Sequence, residues 1–298
     1  MDKNQIAFKA YLLQEKNYSI HTASAYEKDL LDFVEFLVCN FEHENLIAVN
    51  YSQIRSWIVF LIDNDLTPTS VNRKISSLKA FYSFLLKSKQ IEVSPLIKHK
   101  SLKTGNKVQI PFSENEVKAV LTEGIFRNDF EGIRDKLIVD LFYATGMRRA
   151  ELIELTLANV DAYGNTVKVL GKRNKERIVP ILPEISNQIK VYLNERSDLE
   201  VIQNPEYLFL TKSGNKLNIS LVYRLVNRYF SSVSEKVKKS PHILRHSFAT
   251  HLLNNGADIN SVKDLLGHAT LASTQVYTHN SLAELKNTHA ASHPRRKK

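Results

Sequence analysis

Cysteine is almost absent: Cys39 is the single one in 298 residues. That excludes an intrachain disulfide framework and suits a reducing compartment. Cys39 closes an apolar helical run and is expected to be a buried thiol. Glycine and proline are scarce too, at 9 and 8 residues, which leaves no room for low-complexity sequence. No repeat of fixed period is present. Long apolar runs are also missing; the most apolar, WIVFLI at 57–62, is far shorter than a bilayer span and is flanked by Arg55 and Asp63. The opening MDKNQIAFKAYLLQEKN carries charge throughout and has no secretory-signal core. A soluble, cytoplasmic protein with no membrane partner is expected. Acidic residues are the minority charge, 31 against 41 Lys and Arg, for a formal net charge of +10. A polyanion, nucleic acid before membrane surface, fits that excess, and charge that serves solubility is the alternative.

What is present is mostly helical pattern. In the first hundred residues, Tyr26, Leu30, Phe33 and Leu37 form one stripe, and Val71, Ile75, Leu78, Tyr82 and Leu85 another. The second helix carries Arg73, Lys74 and Lys79 on its other faces, as DNA contacts or as a solvated surface. SPLIKHKSLKTGNKVQIPF (94–112) is polar, basic and bracketed by prolines. The expected division is a helical domain at 1–98, a linker at 99–110 and a second domain at 111–298. There, Ser113 and Glu116 have capping-box spacing, and DKLIVDLFYATG reads as an apolar helix ending at Gly146. TVKVLGKRNKERIVPIL reads as two strands around a basic turn, and YLFLTKSGNKLN as a short hairpin turning at Ser213–Gly214. Helix is expected from Ser220 to about residue 290. The expected fold class is mainly α, with a small antiparallel sheet in the second domain.

Titratable groups gather at element ends. Arg148 and Arg149 open a helix after Gly146, where positive charge opposes the macrodipole unless an anion is bound, and Glu151 is spaced to brace Arg148. In SPHILRHSFATHLL, Ser240 caps and Pro241 starts a helix, so His242 lies in its first turn with Arg245 on the same face. Leu244, Phe248 and Leu252 make the buried stripe. Zinc held by His242, His246 and His251 is the rival, disfavoured by the uneven spacing and the intervening arginine; His246 and His251 are expected to be structural. A short helix then ends at Gly267–His268, and Tyr277 follows in a further helical segment.

In that order, Arg148, Lys172, His242-x-x-Arg245, Gly267-His268 and Tyr277 resemble the tyrosine recombinase, or phage integrase, family. LFYATGMRRAEL, GKRNKERIVP, PHILRHSFATHLL and LLGHATLASTQVYTH each match a family box, together covering most of residues 140–280. The first hundred residues resemble the family's SAM-like core-binding domain, and the overall length looks like its Xer members, which resolve chromosome dimers. Met147, Arg173 and Ser273 depart from the usual leucine, glycine and threonine.

The resemblance implies that Tyr277 attacks a DNA phosphodiester and forms a 3′-phosphotyrosyl link. Arg148 and Arg245 would hold the phosphate oxygens, with Glu151 in support. His242 would act as base, His268 as a hydrogen-bond donor, and Lys172 as the acid for the leaving 5′ oxygen, with no metal, ATP or other cofactor. Lys175 and Arg177 would touch the DNA backbone, and Arg224 and Arg228 would sit on the helix that enters the major groove. Leu282 and Leu285 would anchor the tail in a neighbouring protomer. The implied partners are a double-stranded recombination site, a second protomer or paralogue in a tetrameric synapse, and a septal DNA translocase. An integrase of a mobile element is the alternative within this chemistry, and a non-catalytic DNA-binding protein the alternative outside it.

Overall fold

The two apolar stripes of the first hundred residues face one another. In this computed structural model, which describes residues 2–105, 109–122, 124–171, 176–267 and 292, the N-terminal unit holds helices α1 (Lys3–Gln14), α2 (Ile20–Phe41), α3 (Tyr51–Asp63) and α4 (Pro68–Lys87). Leu30, Phe33 and Leu37 of α2 pack with Val71, Ile75, Leu78, Tyr82 and Leu85 of α4 in one core, where Tyr26 is only half-buried. Trp57 of α3 closes the core against Phe33, ring centroids 4.8 Å apart. Side chains of Ser19, Asn50 and Thr67 accept the early N–H groups of α2, α3 and α4, which fixes where each helix begins.

One buried charge organises this unit. The Asp29 carboxylate receives both terminal nitrogens of Arg73, at 2.7 and 2.9 Å, the Lys74 ammonium at 3.2 Å and the Ser77 hydroxyl at 2.7 Å. Lys74 also reaches Asp32 and keeps only 12% of its side chain exposed. Lys74, expected as a DNA contact, has its ammonium paired with two carboxylates inside the fold. Arg73 remains 53% exposed and Lys79 is exposed. Cys39 is exposed as well, not buried, because it falls on the outer face of α2 between the inward Leu37 and the helix end.

The chain divides into Met1–Lys107 and Val108–Lys298. The stretch read as a linker over 99–110 is anchored at its start, since Leu102 exchanges two backbone hydrogen bonds with the Asn72 amide, each 2.9 Å. Just beyond its end, Phe112 donates its N–H to Ser247 at 2.8 Å and stacks on Phe230.

The second unit is built on α6 (Phe130–Thr145), which is buried on almost every side. Around it lie α5 (Glu114–Leu121), α7 (Arg149–Ile153), a single 3-10 turn at Leu157–Asn159, α8 (Pro183–Ser197), α9 (Ile219–Ser231), α10 (Pro241–Asn254) and α11 (Ile259–Leu266). Ser113 and Glu116 cap α5 reciprocally, as their spacing implied. An antiparallel sheet runs β1 (Val160–Asp161), β2 (Thr166–Leu170), β3 (Glu176–Pro180), with Leu170 opposite Glu176 and Val169 opposite Arg177. The second hairpin is slighter than expected: Leu210 and Lys216 make a single bridge around Gly214, whose φ is +73°. Helix after Ser220 comes as α9, α10 and α11; the continuation to residue 290 lies outside the described residues.

Replacing Asp29 by alanine removes the buried acceptor shared by Arg73, Lys74 and Ser77 and leaves Lys74 paired with the more exposed Asp32. A loss of about 3 kcal/mol is expected, read as a lower urea midpoint for the N-terminal unit; an unchanged midpoint would contradict the assignment.

Candidate active site

Three helix ends meet at one point in the second unit. Gly146 terminates α6 in the left-handed region, φ +58°. A Cβ there would sit 2.4 Å from Phe248 of α10 and 2.8 Å from Leu266 of α11, so only glycine permits both the turn and the close approach. Gly267 ends α11 the same way at φ +62°, and a Cβ on it would press on the Arg177 side chain at 3.1 Å.

This crowding gathers three guanidinium groups. Arg245, from the buried side of α10, donates to the Gly146 carbonyl and, at 2.8 Å, to that of Leu266. Arg148, the N-cap of α7, donates to the Gly267 carbonyl at 3.2 Å and to Glu151 Oε1 at 2.7 Å. Arg177, pointing inward from β3, donates to the Leu265 carbonyl at 3.0 Å and to both Glu151 oxygens at 3.0 and 2.8 Å. The last three carbonyls at the α11 terminus are thus each held by a different arginine. The negative ends of two helix dipoles and one carboxylate offset the mutual repulsion of the cations.

The electrostatics follow from this packing. Burial alone would raise the Glu151 carboxyl, but Arg177, then Arg148, hold it at about 2. Burial pushes Arg245 down to about 10, helped by the like charge of Arg148 and opposed by Glu151. Three guanidiniums around one carboxylate leave an excess of positive charge, with Arg148 31% exposed. Such an arrangement is chemically suited to an anion with spread negative charge, as a phosphate diester and its transition state have.

Glu151 does brace Arg148, but it also accepts the Arg148 backbone N–H at 2.7 Å, so that N–H is not open to an anion as the helix-start reading required. Arg177 is corrected from a DNA-backbone contact to a buried partner of Glu151, 6% exposed. Strand alternation carried the signal, since Arg177 pairs with the inward Val169 and is followed two residues on by the inward Val179. His242 is exposed on the first turn of α10, three residues before Arg245. His246 is exposed too, correcting the structural role expected for it. His251 is buried and meets the Tyr143 hydroxyl at 2.9 Å; burial lowers its imidazole, against the pull of Glu114. The three histidines therefore do not converge, and among the described residues no group of three His, Cys, Asp or Glu is placed to share a metal ion. Arg224 and Arg228 are exposed on α9, and Arg228 is tethered to the buried Asp135 at 3.1 Å. Lys172, Lys175, His268, Tyr277, Leu282 and Leu285 lie outside the described residues.

The model of the phage integrase family matches residues 114–284, and that of the phage integrase N-terminal SAM-like domain matches 6–89. The chain belongs to the phage integrase family, the tyrosine recombinases. Among relatives, tyrosine recombinase XerC of Staphylococcus epidermidis is 38% identical over 298 residues, spanning 100% of this chain and 99% of its own. XerC of Chlorobaculum tepidum is 33% identical over 313 residues, spanning 97% and 93%. The solved structure of XerH recombinase bound to a palindromic difH substrate, a post-cleavage complex, shares the fold with a TM-score of 0.70 at 20% identity, covering 99% and 87%. The Tn1549 transposon integrase bound to circular intermediate DNA does so at 0.69 and 19%, covering 94% and 98%. This recombinase therefore carries its guanidinium cluster in the half of the chain that matches the phage integrase model.

Glu151 gives the cluster a pH signature. Its folded pKa of about 2 lies below the ordinary 4.5, so its stabilisation is complete above pH 4.5 and fades as pH falls towards 2. The stability gap between wild type and Glu151→Gln in urea titrations should shrink by up to ~3 kcal/mol across that window. A gap independent of pH would contradict the assignment.

Proposed function

We propose that this protein is a site-specific tyrosine recombinase that cleaves and rejoins double-stranded DNA through a 3′-phosphotyrosyl intermediate, without metal or ATP. The observation that carries the reading is the convergence of Arg148 and Arg245, from separate helices, on adjacent carbonyl oxygens under an excess of positive charge. Their guanidiniums are fixed in direction and keep their charge through the neutral pH range, so they suit non-bridging phosphate oxygens that gain charge during displacement.

In this reading the Tyr277 phenol oxygen bonds to phosphorus while the bond to the 5′ oxygen breaks. The phenol proton passes to His242, whose place on the exposed first turn of α10 suits a group that must meet substrate. Lys172 supplies the proton that turns the departing 5′ oxygen into a hydroxyl, and His268 donates to the phosphate. Return attack by a 5′-hydroxyl reverses each transfer, so one phosphodiester is exchanged for another without a net energy source. Of the DNA-contact candidates, Arg73, Lys79, Arg224, Arg228 and Lys175 stay in the proposal; Lys74 and Arg177 leave it.

Full-length similarity to proteins named XerC favours a chromosome-dimer substrate over a mobile element. The expected assembly is a tetrameric synapse with further copies or a paralogue on one recombination site, regulated by a septal translocase, in the cytoplasm. Among the described residues no helix is long and apolar enough to cross a membrane.

A suicide duplex carrying the recombination site provides the test. Wild type should form a covalent adduct in EDTA, and Tyr277→Phe should form none while binding the duplex with wild-type affinity. An adduct that needs added metal, or that survives in Tyr277→Phe, would refute the mechanism. If about six to ten phosphates are contacted, affinity should fall ~10³–10⁵-fold between 50 and 200 mM salt.

A further inference from the structure

We infer that Arg177 is a positioning residue for strand cleavage: it neutralises Glu151 from the interior so that Arg148 can be braced by that carboxylate without surrendering its charge to it. The inference rests on the recombinase reading above. It assigns to Arg177 a task distinct from DNA contact.

The geometry separates the two arginines by what each takes from Glu151. Arg177 engages both carboxylate oxygens, at 3.0 and 2.8 Å, and is 6% exposed. Arg148 takes one oxygen through its side chain and the other through its backbone N–H, and is 31% exposed. A forked, two-point pair in a dry site binds more strongly and more directionally than a single contact near solvent. Glu151 is therefore matched in charge by the arginine that cannot reach DNA, and it serves the one that can as a hydrogen-bonding brace. Without Arg177, the pair that remains on Glu151 would be the one with Arg148, at 2.7 Å. Its charge would then be cancelled and its guanidinium drawn inward, away from an incoming phosphate.

A second contact gives Arg177 influence over geometry. Its Nε–H holds the Leu265 carbonyl at 3.0 Å, directly before the Leu266 and Gly267 carbonyls held by Arg245 and Arg148. Gly267 itself lies against the Arg177 side chain, which a Cβ would approach to 3.1 Å. One buried side chain on β3 thus touches both the C-terminus of α11 and the carboxylate at the start of α7, and it acts on Arg148 through the carboxylate.

The test is a double-mutant cycle on single-turnover adduct formation at saturating duplex, with thermal midpoint and duplex affinity measured on each variant. Arg177→Met in the wild-type background should keep duplex binding and lose about 10²-fold in cleavage, the scale of a misplaced or weakened phosphate donor. Arg177→Lys, which keeps the charge against Glu151, should recover most of that loss. In a Glu151→Gln background, where a neutral amide oxygen can still accept from Arg148, Arg177→Met should cost less than about 3-fold, because no carboxylate remains to be neutralised. If Arg177→Met alone does not fold, the comparison of Glu151→Gln with the double variant still decides. An equal loss from Arg177→Met in both backgrounds, no loss in the wild-type background, loss of duplex binding in step with cleavage, or a Glu151→Gln protein that makes no adduct would each overturn the inference. Wild type that forms no adduct at all would instead refute the recombinase reading, and this inference with it.

Discussion

The Glu151 carboxylate is the constraint on which the rest of the site depends. Three arginines cannot share a poorly hydrated pocket unaided, since each pays for lost water and repels the others. Glu151 takes two of them directly, and the C-terminal carbonyls of α6 and α11 accept further hydrogen bonds from the cluster. Two glycines at those helix ends, Gly146 and Gly267, allow the approach. The cluster is thus assembled from helix termini and one acid, and it keeps a surplus of positive charge.

The same device recurs in both units: a buried carboxylate orients an arginine that remains partly exposed. Asp29 holds Arg73 in the N-terminal unit, Asp135 holds Arg228 on α9, and Glu151 holds Arg148. In the first two cases a further cation also serves the acid from inside, Lys74 for Asp29 and Arg134 for Asp135. Arg177 plays that inner part for Glu151. An arginine fixed in this way loses less side-chain freedom on meeting a phosphate than a free one would.

Much of this was legible in sequence where the signal is periodic or local. The stripes of α2 and α4, the caps at Ser113 and Ser240, the end of α6 at Gly146 and the hairpin around the basic turn each rest on neighbours within a few residues. Illegible features depend on partners far along the chain. Lys74 resembled a surface lysine because Asp29 and Asp32 belong to another helix, and Arg177 resembled a phosphate contact because Glu151 lies on the far side of a hairpin. Cys39 misled for a smaller reason, a rotation of one position around a helix that is apolar for most of its length. Arg148 stood out in the sequence nonetheless, since a cation at a helix start opposes the dipole and asks for an explanation.

The most direct measurement is a crystal structure of the Tyr277→Phe protein bound to its duplex site. The account predicts Arg148 and Arg245 hydrogen-bonded to non-bridging oxygens of one phosphate, with Glu151 still clasped by Arg177. A bound duplex whose cleavable phosphate lies away from both arginines, with neither guanidinium donating to it, would contradict it.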